Sequence, residues 1–237
     1  MSPGANPTAN PTANVDGGDG EITWLRHNRI DLALHRLSIG SDPSFRPLLI
    51  LHGLGERTPR KVPDFIDWPG PVFGLDFTGH GRSTVPLGGG YTSEVLTGDV
   101  DSALAHLGAV TILGKGLGAY VALLITAARP DQVLGAVLTD GPGLAGGGVQ
   151  PGSPSLAFPP PWSDGTAPDP LALLELSRDV RPPDYAQNLV RLATDRSELD
   201  KTFVVSAVAR PEWLKAIATE PGVGSGSVRE ALELFSQ

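Results

Sequence analysis

Three apolar runs in this chain end in glycine-rich turns, and that repetition limits the fold more than any other feature. RPLLILHG, GPVFGLDF and AVTILGKG are continuous and short. Runs of that kind mark strands buried on both faces of a sheet. Segments of helical spacing lie among the strands. SEVLTGDVDSALAHLG places Val95, Leu96, Val100, Leu104 and Leu107 on one side, with Ser93 as the expected N-cap. GLGAYVALLITAARP reads as an apolar helix, and QVLGAVLTDGPG as another strand. Strands alternating with helices predict a mostly parallel sheet with crossover helices.

The flanks follow different rules. EITWLRH and RIDLALHRLS alternate apolar and polar residues around Asn28, which predicts an N-terminal antiparallel hairpin. Residues 1–20 are built from Pro, Asn, Thr, Ala and Gly, with NPTA occurring twice. They bury too little apolar area to offset ordering entropy and are expected to be a disordered tail. Residues 21–237 then read as a single α/β domain. Within it, residues 141–200 are expected to be a lid- or cap-like excursion, because residues 141–170 are half Gly and Pro and too long for an ordinary connection. Helical pieces follow at 171–178 and 184–194. KTFVVSAVA is a further strand, and PEWLKAIAT and SVREALELF are short helices, the second capped by Ser227. Only EPGVGSG remains for a last strand.

Composition removes several classes of function. A net charge of −8 disfavours a nucleic-acid surface, which needs clustered Lys and Arg. With no cysteine, disulfides and thiolate chemistry are excluded. Five scattered histidines show no metal-binding spacing, and no cofactor is implied. No segment has the apolar length of a membrane span. Residues 1–20 lack a basic start and an apolar stretch, so they do not read as a secretory signal, and a cytoplasmic location is the default expectation.

The turns carry the functional information. His52-Gly53-Leu54-Gly55 follows the first run. Asp76, Gly79, His80, Gly81 and Ser83 follow the second. Gly114-Lys115-Gly116-Leu117-Gly118 stands between the third and an apolar helix. All three sit at strand C-termini, the edge where open α/β sheets bind ligands. Their order and spacing resemble the α/β-hydrolase superfamily, well over about residues 21–140 and loosely beyond. The resemblance implies an oxyanion hole made by the backbone N–H groups of Leu54 and Leu117, and a nucleophile elbow centred on position 116.

Two departures from that family decide the expected function. The elbow has Gly116 where the family carries its nucleophilic serine, and the last histidine in the chain is His106, before the elbow. The family's general base follows the last strand, so no later imidazole is available. Asp140 is the best match to the family's acid. A triad needs all three groups within hydrogen-bond reach, and two are missing. The cradle of N–H groups, aided by the helix N-terminus, would hold a carbonyl oxygen or carboxylate without attacking it. Loss of the serine is expected to leave space there for a ligand atom or a water.

The leading expectation is therefore a non-catalytic binder of a small apolar carbonyl or carboxylate ligand, or of a protein partner. Its ligand-binding candidates are Leu54, Leu117, Gly116, Lys115, His52 and Tyr91. The alternative is a hydrolase with displaced residues, in which His52 and Asp140 activate a water to cleave an ester or acyl compound. Asp76 and His80 are expected to be structural. Ser83 has no evident base beside it. The glycines at 114–118 match neither the phosphate-loop nor the dinucleotide spacing.

Overall fold

The computed structural model describes residues 21–147 and 168–237. The expected N-terminal tail, and the excursion from 148 to 167, lie outside the described residues. The eight strands are β1 (Ile22–His27), β2 (Ile30–Ser38), β3 (Leu48–Leu51), β4 (Val72–Leu75), β5 (Val110–Lys115), β6 (Val133–Thr139), β7 (Phe203–Ser206) and β8 (Val223–Ser225). They form one sheet in the order β1-β2-β4-β3-β5-β6-β7-β8. The β1–β2 and β2–β4 pairings are antiparallel, and the others are parallel. The expected hairpin turns at Asn28, which takes φ 56°, a conformation that asparagine tolerates better than most residues.

Six helices accompany the strands: α1 (Ser93–Leu107), α2 (Leu117–Ala128), α3 (Pro170–Arg178), α4 (Pro183–Thr194), α5 (Glu212–Ile217) and α6 (Val228–Phe235). The two-residue period of the strands divides the core. Leu49, Leu51, Ile112, Ala136, Leu138, Phe203 and Val205 join the larger cluster with α1, α2, α4 and α5. Leu48, Ile50, Leu113, Val137 and Val204 face the smaller one, closed by Trp68 and by Ala231, Leu232 and Phe235 of α6. Burial on both faces explains why the strands read as unbroken apolar runs.

Caps follow side-chain chemistry with one correction. Thr92, not Ser93, caps α1, its hydroxyl accepting from the Val95 N–H at 3.3 Å. Ser93 lies one residue inside the helix, and both its N–H and its hydroxyl donate to the Asp179 carboxylate. Ser227 and Glu230 form the reciprocal capping box of α6.

The element that matters most for the site lies at residues 141–147. These residues, the first of the segment read as a lid- or cap-like excursion, form a turn pressed onto the C-terminal edge of the sheet. The Leu144 N–H donates to the Gly141 carbonyl at 3.2 Å, closing a four-residue turn with Pro142 second and Gly143 third at φ 78°. That is the composition of a type II turn, which needs a positive φ at its third residue.

Candidate functional site

Leu54 and Leu117 lie side by side at the C-terminal edge of the sheet. β3 ends at Leu51 and delivers Leu54, while β5 ends at Lys115 and delivers Leu117 at the start of α2. Their backbone N–H groups converge on one point, and a carbonyl already stands there. The Pro142 oxygen accepts from Leu54 N and from Leu117 N, each at 2.9 Å. The first turn of α2 has neither a side-chain cap nor an acidic residue. The Pro142 carbonyl serves instead, placing a partial negative charge at the positive end of the helix dipole.

Gly116 holds the elbow at φ 59°, ψ −115°. This strained conformation persists without a side chain because glycine adopts it at no steric cost. The expected free space is filled. A Cβ built at Gly116 would stand 2.2 Å from the Pro142 oxygen and 2.6 Å from the Gly141 carbonyl carbon. The neighbouring glycine allows a close approach: a Cβ at Gly118 would lie 2.4 Å from the Leu51 oxygen. The Gly-x-Gly-x-Gly pattern therefore reflects backbone packing of α2 against the ends of β3 and β6.

The inserted turn is fastened from behind. Arg181, 4% exposed, donates through Nη1 to the carbonyls of Gly143 and Leu144, the latter at 2.5 Å. Trp213 Nε1 donates to the same Leu144 carbonyl at 2.8 Å. The guanidinium stacks 4.6 Å from the Tyr120 ring centroid, and Tyr120 meets Trp213 edge-on at 5.1 Å. Burial pulls the Arg181 pKa down to about 10, so it stays charged at neutral pH. The Leu144 side chain is buried in the larger core cluster. Neither Arg181 nor Trp213 carries a local sequence signal for this role. The GPGL turn itself was legible, but not its destination.

The remaining candidates have other occupations. His52 is buried and neutral, with a fixed tautomer. Its Nδ1 proton goes to the Gly53 carbonyl at 2.8 Å, and Nε2 accepts from the Phe77 N–H at 3.1 Å. Burial lowers its pKa. No lone pair is left to take a proton from water. Asp140 binds the loop after β7, its two oxygens accepting from Val208 N at 2.6 Å and Ala209 N at 2.9 Å. His52 and Asp140 thus have separate partners, and the geometry gives the displaced-machinery alternative no dyad. Lys115 turns away from the cradle to Glu56, with Nζ–Oε1 at 2.5 Å on the surface. Tyr91 packs against Gly79, and its hydroxyl donates to Asp169 at 2.6 Å.

The second turn is a buried hydrogen-bond hub. Asp76 accepts from Thr58 N and Arg82 N, each at 2.8 Å, and is bonded to His35 Nε2 at 2.9 Å. Burial pushes its pKa up, but the His35 hydrogen bond and charge outweigh that and bring it to about 2. The Ser83 hydroxyl donates to the Asp76 carbonyl and accepts from Ala33 N, so it is fully engaged. His80 bridges Thr78 O and Gly55 N, each at 3.1 Å, and burial drives its pKa to about 3. His27 pairs with Asp99, and His106 is exposed on α1. After β8 come Gly226 and Ser227, where the resemblance would require an imidazole.

Neither a family model nor a curated protein matches the sequence. Solved structures do match in fold. An esterase from Rhodococcus sp. aligns at TM-score 0.61 and 18% identity, covering 87% of this chain and 89% of that one. The thioesterase domain from the curacin biosynthetic pathway aligns at TM-score 0.58 and 15% identity, covering 91% and 96%. A haloalkane dehalogenase from Agrobacterium tumefaciens aligns at TM-score 0.57 and 17% identity, covering 93% and 94%. The chain has the α/β-hydrolase fold, with its mostly parallel sheet, N-terminal antiparallel hairpin and flanking helices. Among the described residues, no helix is long and apolar enough to cross a membrane.

Proposed function

We propose that this protein is a non-catalytic α/β-hydrolase-like binder. Its cradle recognises a carbonyl or carboxylate oxygen on a small, largely apolar ligand. One observation carries the reading: Leu54 N and Leu117 N hold a carbonyl oxygen, that of Pro142, beside a residue with no side chain to attack it. A hydrolase needs a nucleophile, a base and an orienting acid. Position 116 offers no hydroxyl, and His52 has both ring nitrogens engaged.

The test is direct. The protein is incubated with a serine-reactive fluorophosphonate and weighed intact. Short-chain esters are then screened at high protein concentration. The expected result is no stoichiometric adduct and no turnover above buffer. A covalent adduct, or ester hydrolysis abolished in His52→Ala, would overturn the proposal. Native mass spectrometry of freshly purified protein is expected to reveal a bound carboxylic or carbonyl compound once the turn at 141–144 is weakened.

A further inference from the structure

The inserted turn satisfies its hosts in the manner of a bound peptide. Three successive carbonyls, of Pro142, Gly143 and Leu144, are held by four donor groups: Leu54 N, Leu117 N, Arg181 Nη1 and Trp213 Nε1. The Leu144 side chain is 5% exposed and seated in the core. Arg181 also keeps two buried nitrogens, Nε and Nη2, that meet no acceptor among the described residues. A buried guanidinium with spare donors suits an acceptor richer than a peptide carbonyl, because hydrogen bonds from arginine to a carboxylate are charge-assisted.

We propose that the cradle and Arg181 together form a binding site for the C-terminal end of a short peptide or acyl-amino acid, and that Pro142–Leu144 is its tethered internal occupant. One oxygen of the ligand's terminal carboxylate takes the place of the Leu144 carbonyl, facing Arg181 Nη1 and Trp213 Nε1, and the second oxygen accepts from the Arg181 Nη2 that the internal segment leaves unpartnered. An earlier carbonyl, in the place of Pro142, lies between Leu54 N and Leu117 N. A branched aliphatic side chain fills the Leu144 position. Tethering gives the internal segment a high effective concentration, so an external ligand binds only where it gains a contact the segment lacks. The carboxylate supplies that contact. This inference rests on the binding role proposed above and names its ligand class.

The experiment uses the full chain and its Leu144→Ala variant, which loosens the turn without touching a donor. Amide hydrogen exchange is followed at Leu54, at Leu117 and at Ile112 in β5. Acetyl-prolyl-glycyl-leucine is added as the free acid and, separately, as the C-terminal amide. Leu144→Ala is expected to speed exchange at Leu54 and Leu117 by about tenfold or more, with Ile112 unchanged, as a local opening does. The free acid is expected to restore protection at a concentration about tenfold below that of the amide, the worth of one charge-assisted contact. Exchange at Leu54 and Leu117 rising in step with Ile112 would make the turn part of the global fold and overturn the inference. Equal potency of acid and amide, or protection by neither, overturns it too. If Leu144→Ala does not fold, Leu144→Val replaces it, a smaller loss of buried volume that again touches no donor. The fluorophosphonate result is independent of exchange, so failure here is distinguishable from failure of the non-catalytic reading.

Discussion

The Pro142 carbonyl oxygen lies 2.9 Å from the Leu117 nitrogen, at the N-terminus of α2. The contact is long-range in the chain and made wholly by backbone. It caps α2, closes the cradle and fixes the position of residues 141–144.

Gly116→Ser is expected to destabilise the protein by about 2–4 kcal/mol, because it adds strain at a positive φ and a steric clash. The new Cβ would stand 2.2 Å from the Pro142 oxygen. Urea unfolding measures the loss. An ester assay on the same variant is expected to show no efficient turnover, since among the described residues no free imidazole stands beside the new hydroxyl.

Acid stability should report Asp76. Its folded pKa of about 2 lies below the 3.8 of the free side chain. The group therefore contributes stability above about pH 4 that is lost as pH falls toward 2, in total about 2 kcal/mol. Asp76→Asn should be less stable at neutral pH, with a shallower decline between pH 4 and 2 in urea titrations.

His80 acts in a higher window. Its folded pKa of about 3 lies below the 6.5 of the free side chain. The unfolded chain thus binds a proton that the folded one refuses. Stability is full above pH 6.5 and falls as pH drops from there toward 3, with a slope of up to about 1.4 kcal/mol per pH unit. His52, lowered in the same direction by burial, adds to the slope. His80→Gln should flatten the profile in that range.

Asp140→Ala is expected to cost about 1 kcal/mol or less, because the N–H groups of Val208 and Ala209 that it frees are exposed and are taken up by water. Hydrogen exchange at those two amides should rise. The reaction with fluorophosphonate should not change.

Lys115→Ala should shift stability by less than about 1 kcal/mol, as expected of an exposed ion pair. Lys115 Nζ bonds to Glu56 at the surface. An equal loss of peptide or carboxylate binding in this variant would return Lys115 to the cradle.

The sheet was legible because burial on both faces writes itself into continuous apolar runs such as Leu48–Leu51. The cradle was legible because glycine is obligatory where backbones approach as closely as Gly118 and Leu51 do. The cap of α1 was misplaced by one residue because Thr92 and Ser93 are both competent acceptors, and tertiary pairing with Asp179 decided between them. What fills the cradle was not legible. Pro142 is an ordinary turn proline by sequence, and Arg181 reaches the next carbonyl, that of Gly143, from 38 residues further along the chain.

Both partners in the contact at the cradle are main-chain atoms. Side-chain replacement at 142 deletes neither of them, and at 54 or 117 only proline would. The contact can therefore be loosened only from its surroundings, as at Leu144, and not by trimming the side chains of the residues that make it. Any side chain placed at 116 would meet the Pro142 carbonyl before it met a ligand. Room at that position comes only when the turn itself moves.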